Sequence, residues 1–195
     1  MSDPLVPQAD GHTELPEEDR EGLIPSYIAT LGDLFDAEQR NIAAALRRRA
    51  PSTDALLDDK YLRDLHKAML GRVWTWAGRY RTRETNIGID PTQISAAVRT
   101  LVDDARTWVE AGTFEPDELA ARFHHRLVQI HPFPNGNGRH GRIATDHLLL
   151  SMDEPTFTWG RNLDVEAEEL RRDYRRALQR ADDGYIDQLL AFCRS

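Results

Sequence analysis

The residues best suited to chemistry are gathered in His131-Pro-Phe-Pro-Asn-Gly-Asn-Gly-Arg-His-Gly-Arg142, a stretch set between two apolar helical patterns. Gly136-Asn137-Gly138 permits backbone angles that turn successive N–H groups inward, and it leads directly into a helix N-terminus, so the segment has the makings of an anion cradle. Arg139 and Arg142 are three residues apart, hence on one face of that helix, and both reach toward whatever the cradle holds. Two guanidiniums and a nest suit a polyphosphate. His131, at the end of the preceding helix and fixed by Pro132, is placed to take a proton near neutral pH from a hydroxyl attacking that phosphate. Phe133 is the inward anchor. Each feature alone has a plainer reading: Gly-Asn-Gly as a turn, Arg142 as a partner of Asp146 one turn along, His131 as a structural helix end. Their coincidence within one short stretch favours a site.

The elements that must position these residues are helical. Asp36-Ala-Glu-Gln39 has the form of a helix cap, and the helix it opens runs through Ile42 and Leu46 to Arg47-Arg48-Arg49 before Pro51. Residues 54–70 carry Leu57, Tyr61, Leu62, Leu65, Ala68 and Met69 at helical spacing, with Gly71 as the stop. Arg79 to Ile89 mixes β-formers with Asn86 and Gly88 and reads as a loop or small hairpin. Asp90-Pro-Thr-Gln93 caps a helix that ends at Gly112, and another runs from about Pro116 to Ile130, where Pro132 stops it. Helix resumes near Arg139, and stretches at about 165–181 and 185–193 follow. The spacing predicts an all-α fold with at most one small β element, and the lack of alternating strand and helix units excludes a parallel-sheet nucleotide-binding domain.

With 195 residues the chain is one globular domain with at most a small appendage. The 25 basic and 33 acidic residues give a net charge of −8, which argues against a dedicated nucleic-acid binder. Residues 1–25 hold seven acids, one Arg and four prolines, and are expected to form an extended arm that wraps the body. The bases are nearly all Arg, with Lys60 and Lys67 the exceptions, which suits phosphate contacts but is equally a compositional bias. The single cysteine, Cys193, supports neither a disulfide framework nor a cysteine-based zinc site. No apolar run approaches membrane-spanning length and the N-terminus lacks signal-peptide features, so the expectation is a cytoplasmic protein with no membrane contact.

The twelve-residue stretch matches, position by position, the Fic family signature His-x-Phe-x-(Asp/Asn/Glu)-Gly-Asn-Gly-Arg-x-x-Arg. The resemblance extends over roughly residues 55–192 and includes Trp74-Thr-Trp-Ala-Gly-Arg-Tyr-Arg81, which is similar to the family's Trp-Ala-Gly-x-x-Arg segment. Gly22-Leu-Ile-Pro-Ser26 and Glu38-Gln-Arg-Asn-Ile42 further resemble the Fic subgroup called mobile mystery protein B, found on bacterial mobile elements. The resemblance implies a Fic-type helical bundle with a small β-hairpin flap over 55–195, preceded by an arm and helix over 1–54. It implies transfer of AMP from ATP to a Ser, Thr or Tyr hydroxyl of a target protein, with a toxin-like use among those open to it. His131 is then the general base, Gly136, Asn137 and Gly138 hold phosphates, Arg139 and Arg142 bind the β and γ phosphates, and Phe133 anchors the loop. The flap, roughly Thr82 to Ile89, pairs with the target backbone. Most characterised transferases have Asp or Glu where this chain has Asn135, the ligand of a Mg²⁺ ion bridging two phosphates, so the resemblance implies weak Mg²⁺ affinity. The family's inhibitory pattern (Ser/Thr)-x-x-x-Glu-(Gly/Asn) has no match: the Glu-Gly step is Glu21-Gly22, and Glu17 stands where Ser or Thr is required. Inhibition is then expected from a separate antitoxin-like protein bound on the helix 36–50 side.

Other readings stand beside this one. Asn135 makes a non-catalytic nucleotide-binding or partner-binding module plausible, and other Fic proteins transfer UMP or phosphocholine. Arg142-Ile-Ala-Thr-Asp-His147 has the Arg-x4-His spacing of a metal-independent ribonuclease, and His124, His125, His131 and His140 invite a zinc site, although adjacent helical histidines face different ways. Arg79, Arg81 and Arg83 face either an acidic target or water.

Overall fold

The computed structural model describes residues 21–46 and 50–195; the arm up to residue 20, Glu17 included, and the Arg47–Arg49 cluster lie outside the described residues. The described chain forms helices α1 (Leu31–Ala45), α2 (Thr53–Leu56), α3 (Asp59–Leu70), α4 (Ile94–Ala111), α5 (Pro116–Ile130), α6 (Asn137–Ser151), α7 (Ala167–Asp182) and α8 (Ile186–Arg194). The all-α expectation holds. Leu23 and Trp74 form an isolated antiparallel bridge, and there is no β-strand among the described residues. None of the described helices is long and apolar enough to cross a membrane.

Where a helix end is written in adjacent residues, it falls where the sequence places it. Asp90 accepts from the Thr92 N–H and opens a 3-10 turn, Pro91–Gln93, that runs into α4. Gly112 ends α4 in the left-handed region, and Pro116 opens α5. Two starts differ. α1 begins at Leu31, not beyond Asp36, because the Thr30 hydroxyl accepts from the Asp33 N–H at 3.1 Å while the Asp33 carboxylate accepts from the Thr30 N–H at 3.0 Å. That reciprocal box satisfies donors that a start at Asp36 leaves exposed. The expected helix over 54–70 is two helices, because Leu57 leaves the helical region and the Asp58 carboxylate caps a new start at the Lys60 N–H.

Segment 79–89 is irregular rather than a hairpin. Its ends bond to the chain between α5 and α6, with the Arg81 N–H on the Pro132 carbonyl at 2.9 Å and the Ile89 N–H on the Ile130 carbonyl at 3.4 Å. The strand-forming groups at both ends are therefore already used.

α5 and α6 lie side by side at the centre, with α3 and α4 on one flank, α8 and α7 on the other, and α1 laid on α3. Leu119, Phe123, Leu127 and Ile130 are buried from α5, as the periodicity requires, and join Leu62, Met69, Leu101 and Leu148 in one core. A second core gathers Phe157, Trp159, Tyr174 and Phe192 around Cys193, a free and buried thiol. α6 is unusual because its buried residues include Asn137, Arg139, His140 and Arg142, all in its first two turns. A helix that buries polar groups on several sides needs a partner for each.

One such partner comes from α1. Glu38 and Arg139 are both buried, and their Oε2 and Nη1 atoms are 2.6 Å apart. The other Glu38 oxygen accepts from Trp74 Nε1 at 2.7 Å. Removing the carboxylate strands a buried cation and a buried indole N–H. Glu38→Ala should therefore cost about 3 kcal/mol of folding free energy in urea denaturation, with Glu38→Gln losing less. A loss below about 1 kcal/mol would show that Arg139 is neutralised by another group.

Candidate active site

The loop between α5 and α6 takes its shape from two side chains. Phe133 is fully buried, its ring stacked on His66 with centroids 3.8 Å apart and set edge-on to His140 at 4.9 Å. Asn137 closes the loop on the same residue: the Phe133 N–H donates to its Oδ1 at 2.9 Å, and its Nδ2 donates to the Phe133 carbonyl at 2.7 Å. Gly136 is left-handed with φ +78°, and a Cβ there would lie 2.8 Å from Leu70 Cδ1, so only glycine fits. Gly136 is also the N-cap of α6, and no side chain caps that helix.

The N–H groups of Asn137, Gly138 and Arg139 are thus left without intrahelical or capping side-chain partners, at the positive end of a buried fifteen-residue helix. Two sequence assignments need refinement. The Gly136 N–H is not free, since it donates to Asn135 Oδ1 at 2.6 Å, and the Asn137 side chain is structural, so Asn137 offers an anion only its backbone. Arg139 and Arg142 do converge on the nest. Arg139 Nη2 lies 3.9 Å from where a Gly136 Cβ would sit, and Arg142 Nη1 lies 3.6 Å from the same point at Gly138. Arg139 Nη1, close to Glu38, is off the line of a hydrogen bond, leaving buried donor capacity at the site. Arg142 is buried with its guanidinium 5.9 Å from the centre of the Tyr174 ring.

His131 terminates α5 with φ 53° and ψ 60°, a left-handed cap conformation that costs a histidine on the order of 1 kcal/mol. Its Nδ1 is buried without a well-formed hydrogen bond. Burial and then the Arg81 charge hold its pKa below the ordinary imidazole value, while the Val128 carbonyl pulls the other way. The ring is consequently neutral at physiological pH and able to accept a proton.

His66, Glu38 and Arg81, to which sequence reasoning gave no role inside the site, all hold it together. The Gly78 N–H donates to His66 Nδ1 and His66 Nε2 donates to the Asn135 carbonyl, both at 3.0 Å, which ties the start of segment 79–89 to the anion loop. Burial pushes the His66 pKa down to about 4, so the bridge stays neutral. Its signal was faint: a histidine four residues after Leu62 and four before Leu70 on a core-facing stripe. Arg81 faces neither a target nor water, being buried, whereas Arg79 and Arg83 are exposed.

The rival constellations do not assemble. His124 bonds the Tyr174 hydroxyl, His125 the Asp182 carboxylate and His140 the Leu62 carbonyl, and among the described residues no group of three or more His, Cys, Asp or Glu side chains is set to hold a metal ion. His147 bonds the Tyr61 hydroxyl and stands five residues from Arg142, about 140° around the helix. Asp146 accepts from Trp159 Nε1 and the Phe157 N–H. Asn135, the expected metal ligand, is exposed and offers one neutral oxygen already engaged with Gly136. Beside it a cleft of about 850 Å³ runs between segment 79–85 and α1, walled by Leu34, Trp76, Tyr80 and Pro134.

The chain is 28% identical over 137 residues to the protein adenylyltransferase Fic of Aedes aegypti, a match covering 68% of this chain and 26% of that protein. The chain thus spans about a quarter of the length of the curated relatives it matches. Among solved structures, Fic-1 from C. elegans superposes with a TM-score of 0.63 at 25% identity, over 90% of this chain and 51% of that one. The N-terminal Fic domain of a putative cell filamentation protein from Bartonella quintana, solved with bound ADP, superposes with a TM-score of 0.68 at 17% identity, over 87% and 86% of the two chains. Residues 56–149, from the end of α2 to the last turn of α6, match the model of the Fic/DOC family.

Proposed function

We propose that the protein transfers AMP from ATP to a Ser, Thr or Tyr hydroxyl of a target protein. The observation that carries this reading is the uncapped start of α6, with Arg139 and Arg142 against its glycines and a neutral, strained His131 at the head of the same loop. The relatives named protein adenylyltransferase support AMP as the group transferred. In the reaction the target oxygen attacks the α-phosphorus while His131 takes the hydroxyl proton. The bond from the α-phosphorus to the bridging oxygen breaks, and pyrophosphate leaves. Its β and γ oxygens are held by the Asn137, Gly138 and Arg139 N–H groups and by the two guanidiniums, which is where negative charge grows. Bound ADP and AMPPNP in the Bartonella structures support a nucleotide as the ligand.

A Mg²⁺ ion fits this site only as a guest of the nucleotide. The chain's own donor would be Asn135 Oδ1, a neutral oxygen that already accepts from the Gly136 N–H, so affinity is low. The ion's contribution is to neutralise phosphate charge. Residues 55–195 form the catalytic unit in this reading, with α1 packed on its α3, and inhibition comes from a separate antitoxin-like protein docking on the α1 side. The Glu38–Ile42 segment supports placement in the mobile mystery protein B subgroup, with the mobile-element and toxin-like associations that this brings, and the reduced Cys193 supports a cytoplasmic setting.

Incubation with cell lysate and ATP labelled at the α or the γ phosphate tests the reaction. Label should reach protein from the α position alone and be lost in His131→Ala. Nucleotide binding without transfer would instead favour the non-catalytic module, or another donor such as UTP if that supports transfer. For the ion, Asn135→Asp should lower the Mg²⁺ midpoint of pyrophosphate release by about tenfold, and an unchanged midpoint would contradict Asn135 as the ligand.

A further inference from the structure

Arg81 is buried to 4% exposure, and among the described residues no carboxylate lies within ion-pair distance of it. A guanidinium in such a place must be satisfied by oriented dipoles or it destabilises the fold. Three backbone carbonyls do this. Nε donates to the His131 carbonyl at 2.7 Å, Nη1 to the Arg83 carbonyl at 2.9 Å, and Nη2 to the Ile89 carbonyl. These oxygens belong to the strained histidine and to the two ends of segment 82–89, whose intervening residues are exposed. The main chain repeats the attachment through Arg81 to Pro132 and Ile89 to Ile130.

Gly88 shows how close the segment lies. It has φ +107°, and a Cβ there would come within 2.6 Å of His131 Cβ and 2.7 Å of Arg81 Nη2. The segment therefore rests directly on the histidine, with a hydrogen where any other residue would bring a carbon. The left-handed turn at His131 presents its carbonyl to Arg81, so one side chain holds both the strained residue and the segment above it.

We propose that Arg81 is a positioning residue that fixes the height of the 82–89 segment over His131 and holds that segment ordered before any target arrives. The kinetic half of this inference rests on the transferase reading above; the structural half does not. Arg81 makes no contact with reacting atoms. Its five donors in a rigid fork reach three carbonyls at once, which a lysine ammonium on a flexible stem cannot do in the same geometry.

Hydrogen exchange on the full chain reads the structural half. In Arg81→Lys and Arg81→Gln the amides of positions 81 and 89, which tie the segment to Pro132 and Ile130, should exchange at least about tenfold faster than in the parent, while those in the middle of α4 and α5 stay unchanged. Gly88→Ala, which keeps Arg81, should loosen the same amides and so guards against a folding defect peculiar to the arginine variants. In transfer assays all three should raise KM for the target and lower kcat, with the dissociation constant for ATP within about twofold of the parent. Unaltered exchange at positions 81 and 89 would overturn the inference, as would faster exchange with kcat and KM both unchanged. If the parent protein transfers nothing from any α-labelled nucleotide, the transferase reading fails while exchange still decides whether Arg81 orders the segment.

Discussion

The site depends on one reciprocal pair of hydrogen bonds, the Asn137 amide closed on both backbone groups of Phe133. Because the N-cap position falls to Gly136, which has no side chain, and the Asn137 amide is taken up by Phe133, α6 starts with bare N–H groups. Because Phe133 is fully buried against His66 and His140, the loop it heads has a single shape. Burial of the ring contributes about 2 kcal/mol, enough to hold a left-handed glycine and a left-handed histidine within three residues of it. An anion site at the start of α6 follows from these contacts with no added group.

The electrostatics around it are local. A chain of net charge −8 buries three arginines at this end of α6, each compensated differently. Arg139 has the Glu38 carboxylate behind it, Arg142 lies near the face of Tyr174, and Arg81 is held by carbonyl dipoles. The Glu38 pair orients the Arg139 fork, because Trp74 fixes the carboxylate from its other side. Carbonyl dipoles leave the Arg81 charge formally unpaired, and it is felt at His131, helping to keep the ring neutral. The Arg81 charge thus disfavours protonation of His131, while Arg139 and Arg142 make the start of α6 positive.

What could be read in the sequence was what adjacent residues encode. The caps at Asp90 and Gly112, the stop at Pro132 and the nest with its two arginines all lie in local pattern, and the structure brings His131, Gly138, Arg139 and Arg142 to one loop and helix start. The start of α1 was misplaced because Asp36-x-x-Gln39 competes with Thr30-x-x-Asp33, and only tertiary context decides between two valid boxes. The break at Asp58 was hidden by an unbroken apolar stripe. His66 and the pairing of Glu38 with Arg139 could not be found because the partners lie far along the chain, and the role of Arg81 could not be read because an arginine bound to carbonyls leaves no complementary residue to notice. Asn137 was read as a phosphate holder for a similar reason: nothing in its type says whether its amide or its N–H faces the site.

The most direct test of the account is a crystal structure of the protein with a non-hydrolysable ATP analogue. The account predicts β- and γ-phosphate oxygens within about 3.2 Å of the Asn137, Gly138 and Arg139 N–H groups, with Arg139 and Arg142 on the same phosphates and the α-phosphorus facing His131. Phosphates bound elsewhere, with the first turn of α6 still bare, would contradict it.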